Sequence, residues 1–315
     1  MINKELLVTS GPHIRSKTST TSIMLDVLIA LLPAVVVSIL VFGARALLLE
    51  VVCVAASVLF EYLFRKLMHR TNTISDLSAA VTGLLLAFNL PAGFPIWMAV
   101  VGCFVAIVIV KQLFGGIGQN FANPAITARI FLLIAFTSQM TVWPDANSYI
   151  SGIDAVSGAT PLALIKAGTL EELPSIQNLL FGIRGGCLGE TCGIALLIGF
   201  VYLLIRRVIT PTIPLVYVAT IALMSLILGY DPLVMILTGG VLLGGIFMLT
   251  DYTTSPTTEW GKVIYAVGAG IITMLIRNSV GGYPEGVSFA ILLMNILTPH
   301  INKVGHKKPF GGVEA

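Results

Sequence analysis

Residues 23–42 read IMLDVLIALLPAVVVSILVF, a run of twenty in which Asp26 is the sole charge. A helix of about 20 residues rises roughly 30 Å, the thickness of the hydrocarbon core of a bilayer. The stretch therefore reads as a membrane crossing, and the rest of the chain agrees. Of 315 residues, 56% are hydrophobic and 10% charged, with a mean hydropathy of +0.96, whereas a soluble domain carries about 25% charge. The expected fold class is all-α, a polytopic membrane protein. A net charge of +3 spread along such a chain is an orientation signal and no footprint for nucleic acid. The residues through Thr21 are polar and no small-residue cleavage site follows the apolar run, so the first span is expected to direct insertion without a cleaved signal peptide.

Further apolar runs lie at about 47–64, 77–90, 96–113 and 125–140, and then at 187–205, 213–229, 233–250, 263–276 and 287–297. Several fall short of the length a crossing needs, which anticipates broken or half-length helices. Ten crossings with a cytoplasmic N-terminus fix the side of every loop. Thirteen Lys and Arg residues then fall on the cytoplasmic side, among them Arg65, Lys66, Arg70, Lys111, Arg206 and Arg207. Four fall opposite (Arg45, Lys166, Arg184 and Arg277), and Arg129 lies inside a span. This excess fits the positive-inside rule and puts both termini in the cytoplasm. The expected organisation is a cytoplasmic arm (1–21), a first five-helix repeat (22–142), an extracytoplasmic loop (143–186), a second five-helix repeat (187–300) and a cytoplasmic tail (301–315). The segment from Thr82 to Pro91 resembles that from Thr238 to Pro256, and Gly115 to Ala122 resembles Gly281 to Ala290. Five spans per half make the repeats inverted.

Irregular Gly, Pro and Asn backbone at membrane depth is tolerated where it is buried or lines a cavity. On that ground three places are candidates for chemistry. In Asp154-Ala155-Val156-Ser157-Gly158-Ala159-Thr160-Pro161, a bulky group can approach the Thr160 hydroxyl over Gly158 and Ala159, and Pro161 biases Thr160 towards an extended conformation. The same residues also read as a helix start, with Thr160 as N-cap and Pro161 at the first position. Asn120 and Asn123 lie three residues apart before Pro124, which suits either one ligand-facing surface or helix capping by Asn123. Asp251 closes the eighth span, where a carboxylate is costly unless paired.

Glu50, Glu61 and Asp231 are weaker candidates, read as closer to the interfaces. Arg129 and Arg277 are candidates for an outer site, with snorkelling to headgroups as the alternative. Leu188-Gly189-Glu190-Thr191 opens the sixth span as a ligand-approach segment or a plain re-entrant turn. Cys53, Cys103, Cys187 and Cys192 form no CxxC pair. Cys187 and Cys192 are read as packing residues near a helix end or, less simply, as a disulfide or cluster ligands. No P-loop, Rossmann fingerprint, HExxH or Ser-His-Asp arrangement is present, so no catalytic residue or metal site is assigned.

Several segments together carry a family resemblance over nearly the whole chain. They are residues 12–17 (PHIRSK), 24–33 (MLDVLIALLP), 120–125 (NFANPA), 157–160 (SGAT), 189–191 (GET) and 281–287 (GGYPEGV). This set resembles the family containing the D subunit of the Rnf complex and the B subunit of the sodium-pumping NADH:quinone oxidoreductase. The length is similar to that of the Rnf branch. The resemblance implies a urea-transporter-like architecture with FMN joined to Thr160 by a phosphoester bond. Asp154, Ser157, Gly158 and Ala159 form the rest of that motif, and a flavin transferase that uses FAD makes the attachment.

It also implies a riboflavin near the cytoplasmic side, at Asn120, Asn123 and Asp251. Partners would be the A, B, C, E and G subunits of the Rnf complex, the coupling ion Na+ or H+, and the location a prokaryotic inner membrane. Two positions depart from the family pattern: Tyr252 follows Asp251 where many relatives have proline, and Cys192 replaces a small polar residue. The function expected is electron transfer between the two flavins, coupled to ion transport, within a ferredoxin:NAD+ oxidoreductase. The competing expectation is a non-redox channel or carrier for a small polar solute, which the inverted repeats suit equally well.

Overall fold

The computed structural model describes residues 18–144, 158–169, 171, 173–182, 184–279 and 285–305. These residues are helical apart from connections and isolated bridges such as Pro91 with Cys187. Helix α1 (Thr20–Phe42) starts at a reciprocal cap between Ser19 and Ser22. It ends where Gly43, at φ 72°, lets its N–H reach the Ile39 carbonyl, a backbone turn that suits glycine. Helix α2 (Ala44–Leu67) follows at once. Along α1 the large side chains of Leu25, Leu32, Val36 and Leu40 are exposed, while Ala30, Leu31 and Ala34 are buried. A surface this apolar is covered by lipid or protein and not by water.

Beyond α2 come α3 (Ser78–Phe88), α4 (Ile96–Gln112), α5 (Pro124–Ala135) and the short α6 (Thr137–Met140). The second half holds α7 (Pro161–Ala167), α8 (Ile176–Phe181), α9 (Gly193–Ile205), α10 (Thr212–Leu228), α11 (Pro232–Leu237), α12 (residues 241–248), α13 (Glu259–Asn278) and α14 (Val287–Gly305). Three of these, α1, α2 and α13, are long and apolar enough to cross a membrane alone. The described residues are those of an all-helical membrane protein.

The shorter helices have physical causes. Helix α3 has 11 residues, every one buried, and stops inside the protein. Its terminal carbonyls, which a helix end leaves unpaired, are taken up by the segment before α9. Leu188 N donates to Leu90 O, Gly189 N to Phe88 O and the Cys187 thiol to Asn89 O. Helix α12 is separated from α11 by Thr238, Gly239 and Gly240, the two glycines in left-handed backbone. Arg277 closes that break by donating to the carbonyls of Met235, Thr238 and Gly239.

Both α4 and α12 widen into π turns, over Val105–Gln112 and Gly244–Met248. Leu113 N bonds Val108 O, and Leu249 N bonds Gly244 O, five residues back in each case. Close approaches hold the layers together. A Cβ at Gly199 would stand 2.3 Å from the Ala30 carbonyl oxygen of α1, and one at Gly83 would stand 2.7 Å from the Cys53 oxygen of α2.

Several sequence expectations change here. Glu50 and Glu61 are fully buried, the first accepting from Ser38 and the second paired with Lys111. They lie on the inward face of α2. Arg65, Lys111 and Arg277 are buried within helices, and Arg184 is buried in the connection before α9. The pairing of Thr82-Gly83 with Thr238-Gly239 is one of sequence and not of conformation: the first pair lies within α3, the second at a helix break. All four cysteines are free thiols, so Cys187 and Cys192 form no disulfide.

Candidate functional site

Two cavities hold the polar residues that the sequence singles out. The first, of about 410 Å³, is lined by the start of α1, by Ser78, Thr82 and Leu85 of α3, and by Lys111 of α4. Asn120, Asn123, Pro124 and Ala125 at the start of α5 also line it, as do Phe247, Thr250, Asp251, Tyr252 and Thr253 around the end of α12. Thus Asn120, Asn123 and Asp251 share one chamber. Asn123 caps α5, its Oδ1 accepting from the backbone N–H groups of Ala125 and Ile126, with Pro124 at the first helical position. Its Nδ2 donates to no protein group among the described residues. Asn120 uses Nδ2 on Ala122 O and on the Thr253 hydroxyl, which leaves its Oδ1 uncommitted.

Asp251 lies in the connection after α12 and accepts from Thr253 N, Thr253 Oγ1 and Thr254 Oγ1. Burial holds its carboxyl above the usual carboxylate range, and the Thr253 bonds oppose that shift. Tyr252 is pushed up to about 12 by burial and by the Asp251 carboxylate beside it. Its hydroxyl therefore stays a donor, and it bonds Val208 O at 2.7 Å.

The second cavity, of about 250 Å³, is walled by Arg129 and Leu133 of α5, Met140, Trp143, Gly158, Ala159, Thr160, Ala163, Glu285, Ser288 and Phe289. Thr160 caps α7. Its Oγ1 accepts from Ala163 N at 3.3 Å, Pro161 occupies the first position, and the side chain is half-buried at the cavity rim. Gly158 is held in place by its N–H on Trp143 O. Asp154 and Ser157 lie outside the described residues.

Arg129 is buried behind this cavity. It donates to Ser288 Oγ at 2.7 Å and to Glu285, with Glu190 Oε1 at 3.6 Å and the Cys187 thiol also within reach. Cys187, Glu190 and Glu285 stand close enough together to ligate a cation, but the Arg129 guanidinium already fills that place. Neither Arg129 nor Arg277 snorkels. Arg277 is a buried fork whose donors meet carbonyls, while Arg129 meets Ser288 and two carboxylates and leaves its Nε without a partner among the described residues.

The two cavities share α5. Ala125 lines the first and Arg129 the second, four residues or about 6 Å apart along the axis. With that arrangement in view, comparison with known proteins is decisive. Residues 7–311 match the model of the NQR2, RnfD, RnfE family. The chain belongs to this family.

Among relatives of this NQR2, RnfD, RnfE chain, a protein of Acetobacterium woodii is 51% identical over 97% of this chain and 95% of its own length. It is named as the D subunit of a Na(+)-translocating ferredoxin:NAD(+) oxidoreductase complex. A Clostridium ljungdahlii protein is 39% identical over 96% of each chain and is named as the D subunit of a proton-translocating ferredoxin:NAD(+) oxidoreductase complex. A protein of Escherichia coli, 35% identical over 96% of this chain and 98% of its own, is named as the D subunit of an ion-translocating oxidoreductase complex. These relatives are subunits of an oxidoreductase complex rather than enzymes alone.

Sequence reasoning for this NQR2, RnfD, RnfE chain missed Lys111, Ser78, Thr253 and Ser288. Lys111 Nζ lies 2.8 Å from Glu61 Oε2 and 2.6 Å from Ser78 Oγ. The signal for it was a lysine at the end of an apolar run, which also describes a loop charge. Only the packing of α2, α3 and α4 tells the two apart.

Proposed function

We propose that this chain is the D subunit of a Rnf-type ion-translocating ferredoxin:NAD+ oxidoreductase, an electron-transfer subunit that acts with partners. In this reading Thr160 carries FMN covalently through a phosphoester bond, and a riboflavin binds non-covalently at Asn120, Asn123 and Asp251. The observation that carries it is the pair of largely apolar cavities joined by α5, one with the Thr160 hydroxyl at its rim and the other with three convergent polar side chains.

The residues present suit such groups. Flavin rings carry two carbonyl acceptors and one N–H donor on the pyrimidine edge. In the first cavity the free Asn123 Nδ2 answers a carbonyl and the free Asn120 Oδ1 answers the N–H, while Asp251 stays fixed by Thr253. In the second, Trp143 and Phe289 offer flat apolar walls beside Thr160, with the ion pair of Arg129 and Glu285 at the same cavity. Bound flavins would supply the one- and two-electron chemistry. The protein's own part is to cap, orient and exclude water.

The same reading takes the chain as ten crossings in two inverted five-helix repeats of urea-transporter type, with both termini in the cytoplasm of a prokaryote. It places 143–186 outside the cytoplasm, where a flavin transferase would reach Thr160. Partners are the A, B, C, E and G subunits of the Rnf complex, with Na+ or H+ as coupling ion. The test is mass spectrometry of the peptide containing Thr160 from the purified complex. An added FMN phosphoester mass supports the reading. An unmodified peptide, together with rapid solute flux in liposomes holding this chain alone, would favour the channel instead.

A further inference from the structure

This step rests on the first cavity taking a flavin. We infer that Lys111 is the cationic donor to the pyrimidine edge of that flavin, and that Glu61 is the positioning residue that aims and neutralises it.

The geometry begins in α4. Its last turns are π, a widening of the helical register that is frequent at functional sites. Lys111 lies in that widened turn and lines the same chamber as Asn120, Asn123 and Asp251. An ammonium carries three N–H donors. Two are used, one on Glu61 Oε2 at 2.8 Å and one on Ser78 Oγ at 2.6 Å. The third meets no acceptor among the described residues, although Lys111 is buried and borders a cavity.

Glu61 is itself held in place. Its Oε1 accepts from the Thr73 hydroxyl at 2.8 Å, and Arg65 stands 3.9 Å away. A buried ion pair is a poor way to stabilise a fold, since its desolvation offsets its attraction. It is an effective way to hold a charge at a chosen point, because the field there is little screened. Each electron that reaches the flavin without a proton adds one negative charge, concentrated on the pyrimidine carbonyls and N1. An ammonium beside that edge favours the reduced state over the oxidised one. Glu61 across the ammonium weakens that preference and keeps the cavity from carrying a bare cation.

The test uses the whole purified complex with Lys111→Gln and Glu61→Gln, two changes that remove opposite charges. Denaturation releases non-covalent flavin for chromatography, and anaerobic dithionite titration gives the midpoint of that flavin before release. Co-elution with the partner subunits reports assembly. For K111Q the expected result is about tenfold less releasable flavin, the size of one hydrogen bond to a charged group, or a lowered midpoint. For E61Q the midpoint should rise.

Wild-type flavin content and an unchanged midpoint in K111Q would overturn the inference while leaving the cavity a flavin site. So would shifts of the same sign in both variants, which a merely structural pair would give. Should K111Q fail to assemble, E61Q decides alone: a raised midpoint supports the inference, and an unchanged or lowered one overturns it. If the wild-type complex releases no flavin, the reading of the cavity fails and the inference falls with it.

Discussion

Asn120 donates from Nδ2 to the Thr253 hydroxyl at 2.9 Å, across 133 residues of sequence, and that hydroxyl also lies within 3.2 Å of both Asp251 carboxylate oxygens. The start of α5 and the end of α12 therefore meet through one threonine. Thr253→Val should loosen both walls of the first cavity. The check is non-covalent flavin content, expected to fall while the covalently held flavin is unchanged.

Thr160 has two separable roles. Its hydroxyl caps α7 through Ala163 N, and loss of such a cap costs about 1 kcal/mol, too little to unfold the protein. Thr160→Val should therefore assemble yet show no flavin fluorescence on a denaturing gel. Thr160→Ser, which keeps both hydroxyl and cap, tests how far the attachment depends on the methyl group. Persistent fluorescence in T160V would sink the covalent assignment.

Asn123 likewise divides into a cap and a free donor. Serine caps a helix about as well as asparagine but has no amide nitrogen to aim into the cavity. Asn123→Ser should match the wild type in thermal unfolding in detergent and bind less flavin, whereas Asn123→Ala loses about 1 kcal/mol of stability as well.

Arg129 is buried between Glu190 and Glu285. Truncating it to methionine strands both carboxylates, and breaking a buried pair from one side costs about 3–5 kcal/mol. Arg129→Met should lower the unfolding midpoint far more than truncation of an exposed residue such as Ile198, which should stay within about 0.5 kcal/mol.

Gly199 tests the packing of α9 on α1. A methyl there would stand 2.3 Å from the backbone oxygen of Ala30, a partner that cannot rotate away. Gly199→Ala should cost about 1–3 kcal/mol through helix displacement, read as a lower unfolding midpoint in detergent.

Much of the fold is legible in the chain because hydropathy is a local property. The run from Ile23 to Phe42 reads as one crossing, and the structure has a helix over Thr20–Phe42. Caps are local too, so Asn123 and Thr160, which read as N-caps, are found capping the helices that follow them; Asp231, read as a weak site candidate, also proves to be an N-cap. The short runs also announce broken helices. What they do not announce is what satisfies the broken ends. The carbonyls after α3 find Cys187, Leu188 and Gly189 about a hundred residues away, and those at the α11 break find Arg277.

The site divides in the same way. Composition and motif single out Asn120, Asn123, Asp251 and Thr160, since amides, carboxylates and prolines are conspicuous in an apolar sequence. Lys111 and Glu61 are equally charged and equally visible, yet the first reads as a cytoplasmic charge and the second as a residue near an interface, because burial is a property of neighbours and not of the residue itself. Sequence by itself determined that this chain is a membrane protein of helices with polar breaks. Only the tertiary structure decided which breaks face each other, which charges are buried in pairs, and that one helix connects two cavities. Those depend on contacts between residues far apart in the chain, which hydropathy and local spacing do not encode.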